Sequence, residues 1–253
     1  MSPAFLAALA DLFCRFVLPF ILCAVFVRRW GLSWRTVRLG FLTWLTAMPF
    51  LIAVPVIVGI ISKGNPVAYV VSLSLTAGLV EETSRYWHYR RTRAPLEEDA
   101  LRKGALAGIA HGGIETVVLG LQVLFGTIAL FFAPQLLPEQ MRGIAPDPAF
   151  YLIDIVSRLL ITFGHMGLAL LVWQAVRTRR PVLWLTAIAT HIAVDLIAFA
   201  QPLVLPGADW LGFAVIILLF AFGLVAYRAW SRPAMTRMTD MTDMTDMKVH
   251  VQS

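Results

Sequence analysis

Seven stretches of roughly twenty mostly apolar residues follow one another along the chain, at about 4–27, 39–62, 67–88, 104–132, 149–175, 182–200 and 210–228. Each approaches the length an α-helix needs to cross bilayer hydrocarbon, about 20 residues. In lipid the backbone must satisfy its own hydrogen bonds, and a helix does so within one segment. Together the stretches take up most of the 253 residues and leave no room for a sizeable soluble domain. Composition agrees: 59% apolar and 14% charged, against about 45–50% and about 25% in soluble domains. The expected fold is all-α, a polytopic transmembrane helical bundle of about seven helices. It forms a single domain over 1–232. Residues 233–253, where Met-Thr-Asp repeats, are expected to be a disordered low-complexity tail. The first stretch has no basic lead-in and carries Asp11 and Arg15, so it reads as a retained helix rather than a removable signal. Cys14 and Cys23 both lie in it and give no disulfide framework.

A formal charge of +6 would point to nucleic acid if the basic residues shared one surface, but they alternate between loops. Arg28, Arg29, Arg35 and Arg38 form one group; Arg90, Arg91, Arg93, Arg102 and Lys103 the next; then Arg177, Arg179 and Arg180; then Arg228, Arg232, Arg237 and Lys248. The intervening loops hold only Lys63 and Arg142, so the count is 16 against 2. By the positive-inside rule the basic loops are cytoplasmic, the N-terminus is outside and the C-terminus is cytoplasmic. The expected partners of these loops are anionic lipid headgroups of the bilayer, not nucleic acid.

Ionisable groups at bilayer depth cost several kcal/mol, so each is a site candidate. The third stretch carries Glu81, Glu82 and Arg85; either acid can reach the guanidinium on one helix face, which leaves the other acid spare. The fourth carries His111 and Glu115, the fifth Asp154, Arg158 and His165, the sixth His191 and Asp195. Counted from the cytoplasmic ends at 1.5 Å per residue, Glu81, His111, His165 and His191 fall in one layer, roughly 10–15 Å deep. Three of the five histidines lie in it. Beside His111 and Glu115 runs a row of small residues, Gly104, Gly108, Gly112 and Gly120, of the kind that lets helix backbones approach closely in lipid.

Each residue also has a plain structural reading. A lone intramembrane histidine is usually a hydrogen-bonded packing residue, and Glu81 or Glu82 with Arg85 can be a structural ion pair. Asp154 with Arg158 reads as a structural lock, and Asp11 with Arg15 as a simple pair within one helix. His88 falls at the interface and His250 in the tail. The common depth favours a shared site. Neutral imidazoles are frequent zinc ligands, and a catalytic zinc keeps three protein ligands and a water. A nearby carboxylate can take a proton from that water, and an acid four residues from a histidine can orient its ring. The candidate metal ligands are His111, His165, His191, Glu115 and Asp195. Glu81, Glu82, Arg85, His111, His165 and His191 are the candidate catalytic residues.

Read in order, Glu81-Glu82-x-x-Arg85, His111-Gly-Gly-x-Glu115, His165 and His191-x-x-x-Asp195 resemble the YhfC-type intramembrane metalloproteases, a group allied with CAAX prenyl endopeptidases, bacteriocin-processing enzymes and PrsW-type proteases. The resemblance covers about 78–196. It implies a helical, membrane-embedded protease in which Glu81 activates water, Glu82 pairs with Arg85, and His111, His165 and His191 line the site, with Asp195 following the last histidine. Zinc is the implied cofactor, and a membrane protein or peptide the implied substrate. CAAX enzymes commonly show EExxxR; the spacing here is one residue shorter, which turns Arg85 by about 100° and leaves both Glu81 and Glu82 open as the base. A bacterial inner (plasma) membrane is the expected location. Two other readings remain: a proton- or ion-coupled transporter, and a non-catalytic immunity or scaffold protein.

Overall fold

A computed structural model describes residues 2–92, 99–137, 147–204 and 209–231, with Pro95 and Glu139. The described residues are helical, joined by short turns, with no strand among them. The expected tail from 233 and most of the longer loops lie outside the described residues.

The first apolar stretch is two helices, α1 (Pro3–Phe16) and α2 (Leu18–Trp30), meeting at Val17 with a bend of 41°. Pro19, in the first turn of α2, accounts for the bend: it has no N–H to continue the α1 ladder. The second stretch is also interrupted. It begins earlier than its apolar run, as α3 (Trp34–Leu45) capped by Ser33, and resumes as α4 (Met48–Ile61) with Pro49 in its first turn. Lys63 and Gly64 both take positive φ, 53° and 78°, and turn the chain into α5 (Pro66–Arg91), whose first N–H groups are capped by Asn65. Then come α6 (Ala100–Phe131), a single 3-10 turn at Pro134–Leu136, α7 (Pro148–Thr178), α8 (Pro181–Val204) and α9 (Asp209–Ser231). Five spans, the α3–α4 pair counted as one, are long and apolar enough to cross a membrane, and the bent α1–α2 pair makes a sixth. The 26-residue α5 is not among them; its Glu81–Glu82 pair lowers the apolar character of its second half.

At the centre, α6 packs on α7, α3, α2 and α1, while α7 also meets α9, α8, α1 and α5. The small-residue row of α6 forms the closest seam. A Cβ on Gly108 would stand 2.6 Å from the Met166 Cα, and one on Gly112 would stand 2.9 Å from the His165 ring. Neither position has room for a side chain, so α6 lies against the part of α7 that carries His165. On the other side α5 packs on α8. Four helices with polar residues midway along them thus enclose one interior.

The two ion pairs read separately from sequence form a single network. Arg15 binds both oxygens of Asp11 at 3.1 Å, and its other end bonds Asp154 across on α7. Arg158 lies 3.9 Å from the second Asp154 oxygen. Asp11 and Arg15 are 1% and 3% exposed, so the α1 side of this tie is buried, while Asp154 on α7 is partly exposed.

Candidate metal centre

Glu81, Glu82 and Arg85 project from α5, His111 and Glu115 from α6, His165 from α7, and His191 and Asp195 from α8. Each histidine, like Glu81, lies about ten to thirteen residues from the basic end of its helix, roughly 15–20 Å along the axis. This is longer than the distance counted from the ends of the apolar runs, because the helices continue past them. Glu81, Glu82, Arg85, His111, His165 and His191 are all buried, and Glu115 and Asp195 are partly exposed. The rings of His111, His165 and His191 form a row, with centroids 5.2 Å and 5.5 Å apart.

Glu81, His111, Glu115 and His165 each offer one ligand atom, and these atoms all lie within 4.8 Å of one another. His191 and Asp195 stand outside that group. The Nδ1 of His191 is 2.7 Å from Glu82 Oε1, and its Nε2 is 3.6 Å from Asp195 Oδ2. Sharing a depth did not fix which way the α8 ring turns; it turns toward Glu82. Arg85 connects the two halves. It bonds Glu82 through Nη1, lies 2.8 Å from His165 Nδ1 through Nη2, and is 3.7 Å from Glu81 Oε2. Glu82 is therefore the acid most tightly held by the arginine. His88, by contrast, bonds Thr46 Oγ1 at 3.2 Å, away from the group.

Donor and acceptor inventory identifies the state of His111. Thr43 Oγ1 lies 2.6 Å from the Gly40 carbonyl, which can only accept, so the hydroxyl proton points there. The same oxygen lies 2.8 Å from His111 Nδ1 and must accept from it. His111 thus carries a proton on Nδ1, and in the neutral ring its Nε2 turns a lone pair toward Glu81 Oε2, 2.8 Å away. Two lone pairs at that separation require a cation between them, a metal ion or a proton. Glu115 Oε2 is buried and takes no aligned hydrogen bond, although His165 Nε2 is 2.8 Å from it. A bare imidazole nitrogen and carboxylate oxygens facing one another suit a divalent ion of the zinc class. Thr43 was not a candidate from sequence. It lies in an apolar stretch and differs from other intramembrane threonines only through a contact 68 residues away.

A family model described as YhfC intramembrane metalloprotease matches residues 14–217. The chain belongs to this family. No curated protein and no solved structure matches it. The matched residues include all eight site candidates and reach from α1 into α9. With its apolar spans, family membership makes the chain an integral membrane protein of protease lineage. Within this YhfC member, Thr43 holds the His111 ring from behind at Nδ1, and support of that kind behind a metal-binding histidine is worth about 10–100-fold in metal affinity. Thr43→Val keeps the side-chain shape and removes the acceptor. It is expected to weaken metal binding at this centre by about that factor, measured by competition with a fluorescent chelator.

Proposed function

We propose that the chain is a metal-dependent intramembrane peptidase that hydrolyses a peptide bond of a membrane-embedded protein or peptide, near the cytoplasmic leaflet. The observation that carries this reading is the meeting of Glu81, His111, Glu115 and His165 ligand atoms within 4.8 Å, from three different helices. Zinc is the proposed ion, and these four are the residues that would surround it. Bound there, it would lower the pKa of a water and polarise the peptide carbonyl. Glu81 is the proposed base, since Arg85 holds Glu82 more closely and Glu81 faces His111. A carboxylate has two oxygens, so one can face the ion while the other accepts the water's proton. Arg85 bonds Glu82 and fixes it, and Glu82 in turn orients His191. His191 and Asp195 complete the opposite wall.

Metal analysis of detergent-purified protein is the test. Wild type is expected to hold about one zinc per chain, and His111→Ala to lose it. Active wild type without metal would defeat the metal-dependent reading. Inactivity toward membrane substrates together with metal-independent ion flux in vesicles would favour a transporter.

The proposed setting is a bacterial inner membrane, with one bundle domain over 1–232, seven crossings, an outer N-terminus and a cytoplasmic tail over 233–253. In a background lacking Cys14 and Cys23, Lys63→Cys is expected to react with an impermeant thiol reagent in intact cells. Arg102→Cys is expected to react only after lysis. The reverse pattern would overturn the orientation and place the site near the other leaflet.

A further inference from the structure

The three histidines of the row differ in which ring nitrogen holds the proton. His111 has Nδ1–H, as derived from Thr43 and Gly40. His191 faces Glu82 with Nδ1, and Glu82 also accepts from Arg85, so it acts as an acceptor and His191 donates from Nδ1. His165 is the reverse. Its Nδ1 is 2.8 Å from Arg85 Nη2, and a guanidinium has donors only. That nitrogen must present a lone pair. A doubly protonated ring would set N–H against N–H, and a ring with both nitrogens bare would be an imidazolate. The neutral ring with its proton on Nε2 is the form that fits, and Nε2 is the atom that faces Glu115 of the metal-capable group, 2.8 Å away.

A metal-ligating histidine ordinarily does the opposite, giving its second N–H to an acceptor. Arg85 cannot easily turn away to release Nδ1. It is fully buried and holds the fully buried Glu82. Nor is the His165 Nε2–H consumed by Glu115. The two atoms are 2.8 Å apart but not aligned, and Glu115 Oε2 keeps its lone pair. The ring itself cannot swing freely, because its Cδ2 edge lies against Gly112.

Resting on the peptidase reading, we infer that His165 is not a metal ligand but a hydrogen-bond donor into the reaction space, aimed from Nε2 at the carbonyl oxygen of the peptide to be cut. Arg85 is the positioning residue that fixes this tautomer. The ion is then left to His111, Glu115 and one Glu81 oxygen, and the group of four becomes a site with three protein ligands and one N–H donor. Negative charge gathers on the peptide oxygen as water adds, and a fixed donor at that point stabilises it selectively.

Metal content separates this assignment from its rival. His165→Ala is expected to keep zinc stoichiometry and bind it within about threefold of wild type, while His111→Ala loses it. Turnover of a membrane peptide substrate by His165→Ala falls by about 10²–10³-fold, the usual effect of deleting one such donor, with KM little changed. His165→Gln, which retains an N–H, keeps more turnover than His165→Ala. Nitrogen-15 spectra of histidine-labelled wild type in nanodiscs, with and without zinc, read the tautomer even if the variants fail to fold. An Nε2–H signature at His165 supports the assignment. Loss of zinc in His165→Ala, or a zinc-induced loss of its Nε2–H signal, makes His165 a ligand and overturns the inference. Wild type that binds no zinc would sink the metal-dependent reading instead, while the tautomer would still be decided by the spectra.

Discussion

Glu81→Gln is expected to lower peptide hydrolysis by about 10²–10⁴-fold, the range lost with a general base, and to leave the protein folded. Glutamine has the shape of glutamate, and its amide oxygen can take the place of the carboxylate oxygen that stands 2.8 Å from His111 Nε2. It cannot take a proton from water. The change removes one buried negative charge, but Arg85 stays paired with Glu82, so no lone cation is left in the interior. The assay compares purified wild type and variant in nanodiscs on a membrane peptide, with thermal unfolding as the control. Full activity in a folded Glu81→Gln would exclude Glu81 as the base. Glu82→Gln is the informative comparison: it weakens the hold on Arg85 and on His191 together, so its main effect falls on stability.

Much of the architecture was legible because lipid imposes it. Length and apolarity alone gave the helical class. Gly108 and Gly112, spaced four apart, marked the face where α6 meets α7, and the structure leaves no room for a Cβ at either. The common depth of Glu81, His111 and His165 was readable because the rise per residue is fixed. Rotation about the helix axis was not, and it decides the rest. His191 shares the layer yet turns toward Glu82, outside the group of four, whereas Glu115 joins that group. The breaks at Val17 and at Thr46–Ala47 were hidden because hydropathy averages over the residues that cause them, although Pro19 and Pro49 stand immediately after. Spacing within one helix paired Asp11 with Arg15, and nothing local announced that Arg15 also reaches Asp154 across 139 residues. Thr43 was invisible for the same reason: its role comes from a contact between helices, and only the assembled bundle supplies the partner.

Arg85→Met is expected to destabilise the protein by about 3–5 kcal/mol, the usual cost of removing one partner from a buried ion pair. Glu82 is 0% exposed and its Oε1 is bonded by Arg85 and His191, while Oε2 has no partner. Without the guanidinium that carboxylate keeps only the His191 donor in a low-dielectric interior, where a carboxylate short of partners is unfavourable. Met fills similar space, so the loss reports charge and hydrogen bonding more than a cavity. The same change frees His165 Nδ1 and removes a cation 3.7 Å from Glu81, so folded protein would also bind zinc differently. Lysine is a poor substitute: a single ammonium cannot span Glu82 and His165 as the guanidinium fork does. The double variant Arg85→Met with Glu82→Gln removes both charges and is expected to recover much of the stability without recovering activity. Unfolding in mixed micelles, run as a double-mutant cycle, measures the coupling. Additive losses in that cycle would show that the Glu82–Arg85 pair does not hold α5 in place, and the arginine's importance would then lie in the His165 contact alone.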